Sequence, residues 1–167
     1  PAPRGVAMAR THQRQKIREA IAEALRSADT AAEDRVFETR MLPYGKLEIP
    51  ALAVYALEES VDAESAKSAP RELRRTISLA IEGVVKYGED VDDALDALAV
   101  EIERAMDADP TFGDEVSDSY LSGTRLAIDL DGAQMYGLVR LTYSVTYYAG
   151  APAAEDVTLD DLATVDA

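Results

Sequence analysis

The spacing of apolar residues predicts two helices that each bury one face. The first, over residues 9–28, has apolar residues at every fourth position, and Thr11 is available as its N-terminal cap. The second, over residues 90–107, opens with acidic residues that complement the helix dipole. The apolar positions are Ile17, Ile21 and Leu25 in the first helix and Val91, Leu95, Leu98, Ile102 and Met106 in the second.

Apolar runs and strict alternation predict strands between and after these helices. In the last two strands one side is apolar and the other polar, as in an antiparallel sheet covered by helices on one side. Asp131 and Gly132 mark the turn between them, with a connection of two residues or longer before Tyr136. Gly83 indicates a bulge or a close approach inside the third strand. The predicted strands are 35–40, 49–57, 76–86, 125–130 and 139–148.

The order of these elements predicts an α+β fold: a mostly antiparallel sheet with two helices packed on one face, in a single domain. We expect this domain at residues 9–149, preceded by a flexible basic arm at 1–8 and followed by an acidic flexible C-terminal tail at 150–167. The polar segment 58–71, interrupted by Pro70, is predicted to be a long loop or a hairpin arm. Loops longer than about 12 residues in compact domains are usually functional or disordered.

The net charge of the chain and its distribution limit the classes of partner that we expect. The net charge of −15 argues against a conventional nucleic-acid binder, because phosphates would be repelled. The charge is uneven, since the first 18 residues hold five basic residues and no acid, whereas residues 89–118 hold twelve acidic residues and one basic. No apolar run approaches the roughly 20 residues that cross a bilayer, so we expect no membrane partner.

Candidate chemistry is sparse. The chain has no cysteine and one histidine, His12, which excludes disulfides, a cysteine nucleophile and a histidine metal cluster. Two carboxylate pairs, Asp92 with Asp96 and Asp129 with Asp131, could bind a hard cation, but neither has the spacing of a calcium loop. We therefore predict no cofactor, no metal and no catalytic residue, and a protein that is not an enzyme.

Tyrosines are concentrated in the last predicted strand. Tyr143 and Tyr147 alternate as core residues do, whereas Tyr148 falls on the opposite side of the strand. An outward tyrosine beside outward hydroxyl side chains is typical of a subunit interface. Tyr148 is therefore a candidate contact residue.

Two stretches and the order of elements resemble a known family. Residues 50–55 form a Pro-Ala-x-Ala-Val-Tyr strand, and residues 141–147 form a Leu-Thr-Tyr-x-x-Thr-Tyr strand. With a charged first helix and an acidic second helix, this layout is similar to the tail terminator family (minor tail protein U) of long-tailed bacteriophages. The resemblance covers residues 9–149, and the chain departs from the family in its basic arm and in its acidic tail after Gly150.

The resemblance implies a structural virion protein, assembled in the host cytoplasm and located at the tail–neck junction. Tail terminators form a hexameric ring that caps the tail tube, ends tail elongation and offers a surface for head joining. The implied partners are other copies of the chain, the tail tube protein and a head–tail connector or neck protein, with genomic DNA only as passing cargo.

The same resemblance suggests where these contacts lie. Contacts with the tube or with a neighbouring subunit are expected in the segment 58–71 and at Tyr148. Like charge along a ring channel would keep DNA from adhering as it passes. The contact candidates are Glu58, Glu59, Asp62, Glu64, Lys67, Arg71 and Tyr148, and the candidates for the channel or a ring face are Asp92, Asp93, Asp96, Asp129 and Asp131.

Other functions remain open at this point. A different ring protein of the phage neck or head–tail joint has the same size and the same need for contact surfaces. A ferredoxin-like domain that binds a small ligand would need a glycine-rich or polar pocket at a strand–helix turn, and the sequence offers none. A hydrolase that relies on carboxylates and a metal would lose its activity with a chelator.

Overall fold

The computed structural model describes residues 12–150, which form two helices and five strands. A short 3-10 helix, Tyr44–Lys46, interrupts the segment between the first two strands. The helices are α1 (Gln13–Ser27) and α2 (Val91–Ala108), and the strands are β1 (Val36–Phe37), β2 (Ala51–Val61), β3 (Glu72–Lys86), β4 (Asp118–Asp131) and β5 (Gln134–Gly150).

The five strands form one sheet in the order β1-β2-β3-β5-β4. Only β1 and β2 run parallel, and the other three pairings are antiparallel. Helix α1 packs on β1 and β2, and α2 packs on β3 and β5. The predicted α+β domain is therefore confirmed. The predicted arm at 1–8 and the tail beyond Gly150 lie outside the described residues, so the domain boundaries stay predictions.

Both helices follow the apolar spacing of the sequence. α1 buries Ile17, Ile21 and Leu25, as predicted. It begins at Gln13 because the His12 side chain caps it, with Nδ1 accepting a hydrogen bond from the backbone N–H of Arg14 at 3.1 Å. The helix predicted over 9–28 thus begins at Gln13 in the structure, and residues 9–11, Thr11 among them, lie outside the described residues. Neither described helix is long and apolar enough to cross a membrane.

The core lies between the helices and one side of the sheet, which we call the helix side. Alternate residues of β5 point into it, and Tyr143 and Tyr147 are among the largest fully buried side chains. Burying an aliphatic or aromatic side chain of this kind contributes roughly 1.5–3 kcal/mol relative to leaving it exposed. The core members from β5 are Val139, Leu141, Tyr143, Val145 and Tyr147.

The opposite side of the sheet, the outer side, is covered only in part. The predicted strand at 35–40 is wrong beyond Phe37, because β1 pairs with β2 through two residues only. The chain then crosses the outer side, where Leu42 and Tyr44 pack against the small cluster of buried residues around Tyr136. Tyr44 and Tyr136 stack with ring centroids 5.1 Å apart.

The β2–β3 hairpin is longer than predicted. Glu58 and Glu59 lie in β2, paired with Ser78 and Ile77, so of the two alternatives for 58–71 the hairpin arm is confirmed, and a loop over the whole segment is wrong. The connecting loop spans only 62–71. Here the helix-side position of β2 is a carboxylate, Glu59, rather than an apolar residue, so the apolar alternation that reveals a strand is lost.

The predicted apolar side of β4 is exposed, which corrects the expectation that both hairpin strands bury one side. Leu126, Ile128 and Leu130 are 51%, 46% and 65% exposed. The reason is width: helices pack about 8–10 Å apart and strands about 4.8 Å apart, so two helices cover about four strands. The fifth strand, β4, lies beyond that cover.

Candidate interaction surfaces

One candidate contact residue, Glu59, is held inside the subunit. Its carboxylate accepts hydrogen bonds from Arg75 Nη1 at 2.7 Å and from Tyr147 Oη at 2.9 Å, and Arg14 lies 3.5 Å away. Burial raises the pKa of Glu59, but these partners outweigh it and hold the pKa below its ordinary value. Its side chain is only 7% exposed, so Glu59 stabilises the fold and is a poor candidate for a partner contact.

A second ion pair lies on the outer side. Arg140 donates two hydrogen bonds to Glu82 Oε2, at 3.0 and 2.8 Å, and Tyr55 Oη lies 3.3 Å from the same atom. The guanidinium carbons of Arg140 and Arg40 lie 5.9 and 5.4 Å from the centre of the Tyr55 ring. Burial and then the charge of Glu82 raise the pKa of Tyr55 above its ordinary value. Glu82, Arg140 and Tyr55 thus bind one another, which gives this cluster the character of a structural contact.

The two carboxylate pairs that could bind a cation lie on opposite sides of the sheet. Asp129 and Asp131 lie on the outer side of β4, in register with Tyr136 and Gln134. Asp92 and Asp96 lie on α2, on the other side of the sheet. Within residues 12–150, no three acidic, histidine or cysteine side chains are close enough to hold a metal ion.

The loop 62–71 is folded on itself by local hydrogen bonds. Asp62 Oδ1 accepts from the backbone N–H of Glu64 at 3.1 Å, and Arg71 Nε donates to the Ala66 carbonyl at 2.8 Å. Lys67 pairs with Glu64 at 2.5 Å. Most residues of this loop are exposed, and the loop extends beyond the sheet at the end where β2 finishes and β3 begins. Asp62, Glu64, Lys67 and Arg71 are therefore available to a partner.

The acidic candidates gather at the opposite end of the sheet. Asp92 and Asp93 occupy the first turn of α2, which follows directly after the end of β3. The β4–β5 turn lies at the same end, since Lys86 is in register with Tyr136. The two ends of the subunit along its strands thus differ: one carries the loop 62–71 and the other carries exposed carboxylates.

Tyr148 lies on the uncovered part of the outer side. It is exposed and in register with Arg74. On the same side of the sheet is an open surface of hydroxyl side chains, together with exposed Tyr120 and the candidate contact residue Glu58. Tyrosines and hydroxyls of this kind are common in subunit interfaces. The other members of this surface are Ser60, Thr76, Ser78, Ser122, Ser144 and Thr146.

The sequence interpretation missed one surface, the apolar residues of β4. We call Leu121, Leu126, Ile128 and Leu130 the β4 stripe; in register with the helix-side residues of β5, they lie on the helix side but outside the helix layer. The predicted numbers of strands and helices could have revealed this surface, because a sheet of five strands is wider than two helices can cover.

Comparison with known proteins gives a family match across most of the described chain. A family model described as phage minor tail protein U matches residues 12–147. No curated protein sequence matches the chain. Among solved structures, the chain is similar to one from the virion of a native gene transfer agent particle: the identity is 16%, the TM-score is 0.40, and the match covers 80% of this chain and 95% of that one.

A match of this extent places the chain among the structural proteins of phage tails. The chain belongs to the phage minor tail protein U family. It is therefore a structural component of the virion.

Proposed function

We propose that the protein is a tail terminator. Six copies form a ring that caps the tail tube, ends tail elongation and provides the surface for head or neck joining. The observation that carries this proposal is the family match across residues 12–147, nearly all of the described chain. The ring would be located at the tail–neck junction.

The unlike ends of the subunit support this role. A cap must bind the tube on one side and a different protein on the other, so its two ring faces cannot be equivalent. The loop 62–71 presents Lys67, Arg71, Asp62 and Glu64 at one end, and α2 opens with carboxylates at the other. We assign the loop to the tail tube or a neighbouring subunit, and Tyr148 to a subunit contact.

The acidic end also suits a passage for DNA. Asp92, Asp93 and Asp96 on α2, with Asp129 and Asp131 at the β4–β5 turn, are all exposed. If they line the channel or its rim, repulsion between carboxylates and phosphates keeps the genome from binding as it passes. A channel lined by arginine and lysine in the assembled ring would contradict this assignment.

Capping can be tested with purified components. The tail tube protein is allowed to polymerise with and without the full chain, and tube length is measured by electron microscopy. A terminator stops growth at a ratio of one ring per tube end and is found at the tips. Tubes that grow to the same length with the chain present, or that bind it along their sides, would contradict the proposal.

A further inference from the structure

We propose that a second copy of this chain docks against the β4 edge of the sheet, covering the β4 stripe and bringing its own α1 toward α2 of the first copy. This inference rests on the proposed ring and assigns the surface through which neighbouring subunits meet. It also explains why an apolar side of the sheet is left open in the single chain.

The β4 stripe is an apolar surface without cover in the described chain, with its side chains 37% to 65% exposed. Leu126 pairs with Val139 and Leu121 with Tyr143 across the same ladder, and both β5 partners are almost fully buried. Exposed Met135 continues the stripe around the hairpin. Leu126, Ile128 and Leu130 are alternate residues of one strand, and exposed apolar side chains clustered in this way mark an interaction surface.

Within residues 12–150, the backbone of β4 is also unpaired on one side. Among the described strands it is the long edge strand of the sheet, 14 residues with only β5 as a neighbour. Natural edge strands are protected by charged side chains, above all lysine, by proline, by bulges or by a covering element. β4 has neither lysine nor proline; its charged residues are Arg125 in the middle and Asp118, Asp129 and Asp131 toward the ends, and its register shift lies beside Leu121. A covering partner would protect this edge.

Charge identifies another copy of the same chain as that partner. α2, the helix nearer β4, holds six acidic residues and one basic, whereas α1, which packs beside α2 over β1 and β2, holds four basic residues and two acidic. Arg14, Arg18 and Arg26 form ion pairs with Glu59, Glu38 and Glu23 of the same subunit, and Lys16 is exposed. Opposite charge on the two helices of one subunit draws copies together head to tail.

A head-to-tail contact uses two different patches, so it can repeat and close into a ring, whereas a contact between two identical edges stops at a dimer. The β4 edge of one copy and the α1 side of the next satisfy that condition. The test therefore changes each patch separately in the full chain and measures its self-association.

The apolar half of the contact is tested by Ile128→Asp. Self-association of the full chain is measured by light scattering and native mass spectrometry, free and on tail tubes. Ile128→Asp should weaken self-association at least about 30-fold, as at an interface hot spot, without lowering the melting temperature. The matched control is Ala127→Asp, one residue away on the outer side of the same exposed strand. Equal association of the Ile128→Asp variant and the wild type would overturn the proposal, as would a wild type that stays monomeric both free and on tubes.

The identity of the partner is tested by charge reversal on α1. Lys16→Glu should weaken self-association several-fold and Glu19→Lys should strengthen it several-fold, and both differences should shrink as salt is added. Both residues are exposed on the same helix. If neither variant changes association, or if association stops at a dimer, a second copy does not dock in the way proposed.

The measurements of self-association test the subunit contact independently of the terminator role. Loss of association in Ile128→Asp together with tails of normal length in particles that lack the chain would support the subunit contact and refute the terminator role. Normal association of Ile128→Asp with tails of uncontrolled length in particles that lack the chain would do the reverse.

Discussion

Gly137 of β5 lies directly against Val91 at the start of α2. A methyl group added at Gly137 would come within 2.5 Å of Val91 Cγ2 and 3.0 Å of Val85 Cγ2. Both neighbours are β-branched and have little rotamer freedom with which to move away. This glycine therefore sets how closely α2 approaches the sheet.

Gly137→Ala should destabilise the domain by about 1–3 kcal/mol, the usual penalty for overpacking a core. The matched change Gly123→Ala lies on the neighbouring strand with no atom within 4 Å of the added methyl group. Urea denaturation of both variants measures the difference. If Gly137→Ala is as stable as Gly123→Ala, the helix does not rest on this glycine.

Glu59→Gln should lower the free energy of unfolding at pH 7 by about 1–3 kcal/mol, because the change leaves Arg75 without its carboxylate. The pKa of Glu59 is lowered in the folded state. Its stabilisation is therefore complete above the unfolded pKa of about 4.3 and is lost as the pH falls through the folded pKa.

The difference between wild type and Glu59→Gln should accordingly be largest at neutral pH and shrink in acid below about pH 4. Denaturation curves at several pH values measure it. Glu58→Gln, at the exposed neighbouring position in β2, is the control and should show little effect at any pH. A difference that grows on acidification would contradict the ion pair.

Tyr143→Phe should leave stability unchanged or raise it by up to about 1 kcal/mol. The Tyr143 hydroxyl is buried and makes no hydrogen bond within the described chain. Burial, followed by the charges of Glu103 and Asp107, raises its pKa above the ordinary value. Tyr147→Phe is the contrast, since it removes the hydrogen bond to Glu59. Thermal melts compare the two, and an appreciable loss in Tyr143→Phe would mean that its hydroxyl has a partner.

Lys67→Glu should leave folding unchanged within about 0.5 kcal/mol, because Lys67 forms only an exposed ion pair with Glu64. If the loop 62–71 contacts the tail tube or a neighbouring subunit, the variant should be depleted from particles. Lys86→Glu makes the same charge reversal at the far end of β3. Incorporation is measured by quantitative mass spectrometry of particles. Equal incorporation of both variants and the wild type would show that the loop takes no part in the contact.

Local patterns predicted the parts of the fold that depend on local chemistry. The apolar spacing of α1 and α2 and the alternation in β5 predicted which faces of these elements are buried. Of the two alternatives for Gly83, the close approach is confirmed, since a methyl group there would lie 2.6 Å from Leu98 Cδ2. The register shifts lie elsewhere, beside Ala56 and Leu121.

Features decided by distant partners were not predictable in this way. Glu59 is held by Arg75 and Tyr147, which are 16 and 88 residues away along the chain. The continuation of β2 to Val61 depends on pairing with β3, and the exposure of Ile128 depends on the total width of the helix layer. No local window of sequence contains that information.

The central claim, that this protein ends tail growth, is tested most directly by the lengths of tails in particles assembled without it. Electron microscopy of such particles should show tails of uncontrolled length, and supplying the wild-type chain should restore one length. Tails of uniform, normal length that fail only to join heads would contradict the claim and assign the protein to the neck.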